Sequence, residues 1–431
     1  MELKINSKFL YYLRPESAIG YALAFFFLLL CIAPIKIINT LDWTSVMYML
    51  SGILFFLLGT QLIRPGKRKK TDLVISIKAC YIHRIYRVTF ILGSLGVLLR
   101  CIDLLVFRGI SLANTVMDNF DAAEEGGGNF FSIFSAFFIF FAYIPFTIDM
   151  LFPQLHGRIR KLISILLILS TAVTTIFFGS RFAIMTPLLY GVIILFYSKR
   201  IKFSLKWFCG GIFTFLVILN LIGSLFLNRL SEMGMTGAMS VVSEHGGYSD
   251  KVPATPEFVQ LLNDSESTFY YPYLFAYSHI CQYFTHAVFE FPVVKGYIDQ
   301  TDKYFYGGAT FGVFYKLIAK LAGLSQSDVR QYNARPGIWS TFFFCWYLDF
   351  RWWGVFLMTL LGILFKFVWN KVYSKGNIFC LPLYVFCFII LLFILQLNFI
   401  AGSGTYALFS FTLLPWLCKI KYSYYLVDKT V

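Results

Sequence analysis

Long apolar runs separated by short polar ones dominate the chain. A helix crossing about 30 Å of hydrocarbon needs roughly 20 apolar residues. Runs of that kind cover residues 18–39, 43–63, 86–107, 130–152, 207–227, 353–373, 378–398 and 402–418. Residues 162–198 are apolar except for Gly179-Ser180-Arg181 at their centre, which predicts two short crossings joined by a tight turn. The pattern therefore predicts an all-α polytopic membrane protein with about 10 transmembrane helices, or up to 12 if 268–324 also crosses.

One stretch breaks the rhythm. Residues 228–337 are far longer than any other connection and open polar, with Gly234, Gly237, Gly246 and Gly247. They then turn aromatic and half-apolar. Ile280–Phe291 and 304–324, the latter interrupted by Lys316 and Lys320, read as amphipathic helices lying in the interface or dipping into a cavity. The chain thus divides into an N-terminal bundle of about seven helices (1–227), a large loop (228–337) and C-terminal transmembrane helices (338–431).

Composition agrees. Hydrophobic residues make up 58% and charged residues 14%, against about 25% charged in soluble domains. The net charge of +15 does not point to nucleic acid, because the basic residues gather in short loops, where membrane topology explains them. Arg64, Lys67, Arg68, Lys69 and Lys70 mark one such loop; Arg158, Arg160 and Lys161 another; Lys199, Arg200, Lys202 and Lys206 a third. Lys366, Lys371 and Lys375, then Lys419 and Lys421, complete the series, while Asp118, Asp121, Glu124 and Glu125 fall in an alternate loop. The alternation predicts both termini in the cytoplasm and residues 228–337 outside. Lys4, Lys8 and Arg14 precede a first apolar span that no small-residue cleavage site follows, so that span reads as a retained helix. The nine cysteines form no CxxC pair or Cys/His metal spacing. No metal site and no cofactor is expected.

A charge inside the hydrocarbon costs at least about 2.5 kcal/mol at a helix centre, so embedded charges are the first candidates. Arg181 sits at the outer turn of 162–198, Arg229 opens the large loop, and Arg335 lies near its end, before Pro336-Gly337. Three forked guanidinium groups at one outer face suit a diphosphate, although an isolated loop arginine is more often a solvated charge. Arg100 and Asp103 read as an i,i+3 ion pair and Asp149 as structural. His279 and His286, about two helical turns apart, are candidate general bases, with Glu266 as the fallback if burial raises its pKa. Tyr273, Tyr277 and Tyr283 are candidate sugar-stacking rings, a role that interfacial aromatics imitate without any ligand. No P-loop, HExxH or GxSxG motif occurs, and the first external loop has only Asp42 rather than an Asp-x-Asp pair.

Three motifs follow in order: Gly179-Ser180-Arg181-Phe182-Ala183, then Tyr306-Gly307-Gly308-Ala309-Thr310-Phe311, then Thr341 with Tyr347-Leu348-Asp349-Phe350 and Gly354. In this order they resemble those of the Wzy-type O-antigen polymerases, which join oligosaccharide repeat units. Gly179-Ser180-Arg181-Phe182-Ala183 resembles that family's turn between two short helices. Tyr283 through Gly308, with Tyr306-Gly307-Gly308-Ala309-Thr310-Phe311, resembles its aromatic, glycine-rich external stretch. Thr341, Tyr347-Leu348-Asp349-Phe350 and Gly354 resemble the block before a late crossing, with Arg351 standing where a glycine is common. The resemblance implies a metal-independent glycosyltransferase of the bacterial inner membrane acting on undecaprenyl-diphosphate-linked oligosaccharides. Besides these and membrane lipids, a chain-length regulator and other polysaccharide-assembly proteins are implied as partners. Asp349 is carried over as a sugar-binding residue. An O-antigen ligase and a lipid-linked oligosaccharide flippase stand as alternatives.

Overall fold

A computed structural model describes residues 2–4, 7–38, 41–64, 73–111, 129–176, 181–198, 247–301, 303–312, 340–417 and 423–426, with isolated positions between these blocks. A short strand β1 (Glu2–Lys4) leads into α1 (Ser7–Tyr12), α2 (Pro15–Ile32) and α3 (Trp43–Leu62). After β2 (Leu73–Ser76) come α4 (Ala79–Cys101), which runs on through a wide π-helical turn at Ile102–Phe107, then α5 (Phe130–Phe138) and α6 (Tyr143–Leu151). α7 (Arg158–Ile176) and α8 (Arg181–Tyr197) follow, then α9 (Pro256–Asp264), α10 (Tyr271–Asp299) and α11 (Phe342–Phe350). The chain closes with α12 (Trp353–Tyr373), α13 (Leu381–Leu392), α14 (Ser403–Leu417) and β3 (Ser423–Leu426).

Among the described residues five helical segments are long and apolar enough to cross a membrane: Pro15–Ile32, Trp43–Leu62, Ala79–Phe107, Phe130–Leu151 and Trp353–Tyr373. Shorter apolar helices span Met185–Tyr197, Ile378–Leu392 and Gly404–Leu414. Length alone therefore supports five of the ten expected crossings, and the run at 207–227 lies largely outside the described residues. Leu50, Leu54 and Leu58 on α3, Ile91, Leu95 and Leu98 on α4, and Leu360 and Leu364 on α12 are exposed large apolar side chains at helical spacing. Stripes of that kind have a partner in lipid and none in water.

The all-α expectation needs one amendment. β1, β2 and β3 pair antiparallel in one small sheet, Leu3 opposite Ile75 and Val74 opposite Tyr425. That pairing gathers both ends of the chain and the segment between α3 and α4 at one end of the bundle, called the sheet end below. The opposite, far end carries the start of α3, the end of α4 and the start of α12. At the end of α4 the expected Arg100–Asp103 pair is present (3.1 Å), and Asp103 also accepts from Arg108 and Asn129. α7 and α8 pack on each other and flank the expected turn, of which 177–180 lie outside the described residues.

The tightest helix pair is α3 with α12. A Cβ on Gly59 would stand 2.1 Å from the Thr359 carbonyl oxygen, and one on Gly362 would stand 2.2 Å from that of Phe56. Only glycine lets the two backbones approach so closely. Lys366, expected among loop cations, instead lies within α12, buried and paired with Glu16 of α2 at 2.5 Å.

Two further expectations change. The run 378–398 is not one continuous helix: α13 ends at Leu392 with every residue from Leu381 to Leu391 buried, and turns occupy 393–396. Irregular backbone at this depth survives only inside protein, and here Gln396 and Asn398 are buried while the Phe342 N–H donates to the Ile394 carbonyl. The aromatic stretch of the large loop is likewise no surface helix. α10 has 29 residues, about 44 Å at 1.5 Å rise per residue. Thr285 through Phe291 are all buried. Its first half runs down α2, with Tyr277 Oη donating to the Ile32 carbonyl and Phe284 meeting Phe25. Its second half meets the start of α3, with Phe291 against Tyr48. Beyond 312 the expected helix at 304–324 lies almost wholly outside the described residues.

Candidate functional site

The far end concentrates the chemistry. α11 is a nine-residue helix whose apolar residues face the core, with Phe342, Phe343, Trp346 and Leu348 buried. Asp349 in its last turn is fully buried, and its carboxylate accepts the backbone N–H groups of Ala309 and Thr310, both at 2.8 Å. The Asp349 carbonyl in turn accepts from the Tyr306 N–H. The glycine-rich turn 306–310 is thereby wrapped around one carboxylate 40 residues further along the chain. Burial pushes the Asp349 carboxyl up; the donors at Ala309, Thr310 and Gly307 pull it back, and the net remains above the ordinary carboxylate value.

Arg351 holds the next turn. Its φ of +50° and ψ of −137° lie where a side chain is strained and glycine is at ease. The backbone thus keeps the conformation a glycine would take at this position. The side chain offsets the strain: Nη2 donates to the carbonyls of Ile298 (3.1 Å), Thr301 (2.8 Å) and Lys303 (2.8 Å). These include the last turn of α10, where carbonyls lack helical partners and the helix dipole favours a cation. Beside it, Asp299 accepts from the Tyr347 hydroxyl at 2.5 Å and from Lys295 Nζ at 2.7 Å. Burial and Asp299 together hold the Tyr347 phenol well above its ordinary pKa, so it serves as a donor. Tyr48 Oη donates to the Arg351 carbonyl, which ties α3 into the same knot.

Around this knot aromatic faces are open. Tyr304 and Tyr306 stack on each other at 5.9 Å and are 45% and 74% exposed. Trp352, Trp353 and Trp43 are also exposed. Inside the same region, Ser340 Oγ, Thr341 Oγ1, Trp346 Nε1 and Gln396 Oε1 are buried without a hydrogen-bond partner among the described residues. Each such group costs about 1–3 kcal/mol when it stays unpaired.

The histidines occupy the other half of α10. His286 Nδ1 faces the carbonyls of Tyr283 (2.9 Å) and Gln282 (3.1 Å). Carbonyls only accept, so Nδ1 carries the proton and Nε2 is the basic nitrogen of the neutral ring. The ring is buried against Tyr248, 4.3 Å away. His279 is half-buried, its Nδ1 3.0 Å from Gln282 Oε1. Gln282 Nε2 donates to the Val252 carbonyl, which orients the amide oxygen toward His279. His279 therefore also presents Nε2 as its basic nitrogen.

The expected site residues do not form one cluster. His279 and Asp299 are 20 positions apart on one helix, about 30 Å along its axis, so His279 and the Arg351 knot cannot share a reacting atom. Tyr277 uses its hydroxyl on Ile32, Tyr283 packs edge-on to Tyr248, and Tyr273 is half-buried. Glu266 lies on the exposed turn after α9, without the burial its fallback role requires. Asp349 meets backbone N–H groups rather than open space. Arg181 begins α8, whose other end reaches α1 through Phe196 and Phe9, so its backbone lies at the far end. Its side chain, and Arg229 and Arg335 altogether, lie outside the described residues. Lys295, Asp299 and Tyr304 escaped the sequence reading, which named Arg351 and Tyr306 only as members of the motifs. Lys295 and Asp299 had carried a weak signal as an i,i+4 pair. No protein-family model matches the chain, and neither a curated protein nor a solved structure matches it.

Proposed function

We propose that the chain is a membrane glycosyltransferase that joins undecaprenyl-diphosphate-linked oligosaccharide repeat units, with its far end at the outer face of the cytoplasmic membrane. One observation carries this reading. The two sequence blocks that most resemble the Wzy-type polymerases, Tyr306–Phe311 and Tyr347–Asp349, meet through the Asp349 carboxylate. They do so next to the exposed Tyr304–Tyr306 pair, whose ring faces are fitted to sugar rings.

In the reaction an acceptor sugar hydroxyl attacks the anomeric carbon of the growing chain, the bond to the lipid diphosphate breaks, and a base takes the hydroxyl proton. His279 and His286 are the candidate bases, each with Nε2 as its basic nitrogen, and the aromatic pair at the knot holds sugar units remote from the reacting bond. Arg351 and Lys295 are already engaged by carbonyls and Asp299, so the charge on the departing diphosphate falls to Arg181, Arg229 and Arg335. Asp349 acts as a positioning residue for the turn that carries Tyr306.

The test is deletion of the gene, with surface polysaccharide resolved on a gel, followed by complementation with His279→Gln and His286→Gln. Products carrying a single repeat are expected from the deletion, and one of the two variants should lower chain elongation by about 10²-fold or more. Normal long-chain polymer in the deletion overturns the proposal, and unmodified core redirects it to a ligase or flippase.

A further inference from the structure

A second built site lies at the sheet end. A cavity of about 340 Å³ opens there between α4, beyond its first turn, and the start of α7, lined by His83, Tyr86, Arg87, Phe90, His156, Arg160 and Ile163. Four of the seven residues carry guanidinium or imidazole groups, and Phe90 and Ile163 form an apolar wall. Ile163 is 41% exposed.

Three features set this cavity apart from a solvated basic loop. α7 begins with Arg158, Arg160 and Lys161 and no acid. The N-terminal end of a helix is the positive end of its dipole, so an anion against that first turn is favoured. The imidazoles are also held in place. His156, 7% exposed, donates from Nδ1 to the buried Asp149 carboxylate at 2.7 Å, and its ring lies 4.1 Å from Tyr86 and 5.3 Å from His83. Finally, the nearby charges are disposed for an anion. Asp149 is engaged by His156, and Lys161 Nζ donates to the Pro153 carbonyl, which leaves the exposed Arg87 and Arg160 as the groups at the mouth.

We infer that this cavity binds a phosphate group, presented as the headgroup of an anionic lipid or as a free phosphate. Forked guanidinium groups match phosphate oxygens, and a basic pocket between helices at the bilayer edge, with an apolar wall for an acyl chain, takes a lipid phosphate. The site lies at the opposite end of the bundle from Asp349 and stands whether or not the chain joins sugars.

The full-length protein in dodecyl maltoside is titrated with dioleoyl phosphatidic acid, with dioleoyl phosphatidylcholine and with inorganic phosphate, and its thermal unfolding is followed. A ligand that binds only the folded state raises the midpoint in a concentration-dependent way. Phosphatidic acid is expected to raise it and phosphatidylcholine to have little effect. In the double variant R87Q/R160Q the apparent affinity should fall about tenfold or more. A rise with phosphatidic acid alone assigns a lipid headgroup; an equal rise with inorganic phosphate assigns the free anion. If the double variant aggregates, Arg87→Gln alone carries the test, since Arg87 is an exposed helix residue. No rise with either phosphate source, or a rise unchanged in the variants, overturns the inference and leaves the arginines as topology signals only.

Discussion

Replacing Asp349 by Asn isolates the contact that joins the two motif blocks. The side chain keeps its shape and one acceptor oxygen, but an amide NH₂ takes the place of the oxygen facing either Ala309 N–H or Thr310 N–H. A hydrogen bond to a charged group contributes about 1.5–3 kcal/mol, and a buried donor left unpaired costs about 1–3 kcal/mol. Removing the buried charge works the other way, because burial already disfavours the ionised carboxyl. With the loss of one charged bond as the net effect, the turn weakens by about 1.5–3 kcal/mol. That corresponds to a roughly 10- to 150-fold larger open population. Hydrogen exchange read by mass spectrometry on peptides covering 304–312 measures this directly. Amides in that turn should exchange faster by that factor, while those of α12, held by the Gly59 and Gly362 contacts, stay as protected as before. Unchanged protection of 304–312 would refute the clamp, and uniform loss across the bundle would show that Asp349 supports the whole fold rather than this turn.

Arg351→Ala keeps the strained backbone and loses the carbonyl contacts, whereas Arg351→Gly loses the contacts but relieves the strain, about 1–3 kcal/mol; the glycine variant should melt at the higher temperature, and an equal or lower midpoint is incompatible with the φ of +50°. Glu16→Gln strands the Lys366 ammonium, whose side chain is 6% exposed, and should cost about 3 kcal/mol. Adding Lys366→Met should recover most of that loss in thermal unfolding, and a single variant as stable as the parent would deny the pair any role. At Asp42 partial burial pushes the carboxyl up, but bonds from the Ser45 N–H and the Thr44 and Ser45 hydroxyls, with Lys295 nearby, bring it below its usual value. Its stabilisation is therefore present above the unfolded carboxylate pKa of about 3.9 and is lost as the pH falls through the depressed value. Asp42→Asn should flatten that acid limb of the melting curve, and superimposable curves would show that the cap contributes nothing.

Apolar run length and local pairing were legible because they depend on near neighbours. α3 and α12 begin at or near the expected residues, the α7–α8 hairpin brackets Gly179-Ser180-Arg181, and Arg100–Asp103 form the i,i+3 pair that helix geometry requires. The motifs marked the turn at 306–310 and Asp349 separately, but not that they meet, which two backbone N–H groups on one carboxylate bring about. The role of Arg351 was hidden for a similar cause. Its value lies in three carbonyls between Ile298 and Lys303, about 50 residues away, and carbonyls carry no side-chain signature.

What the sequence alone determined is that the chain belongs in a membrane as a set of apolar helices, because hydrophobic length is read without knowing any partner. Only the tertiary structure decided where the polar interruptions go. It buried the middle of α10 in the bundle, where the sequence had left interface and cavity both open, and there Gln282, Thr285 and His286 find carbonyls to bond. It ended α13 half-way at a turn closed by the Ile394 carbonyl, and brought both ends of the chain to one sheet. A polar residue in an apolar stretch is tolerated wherever a partner satisfies it, and that partner is chosen by the fold.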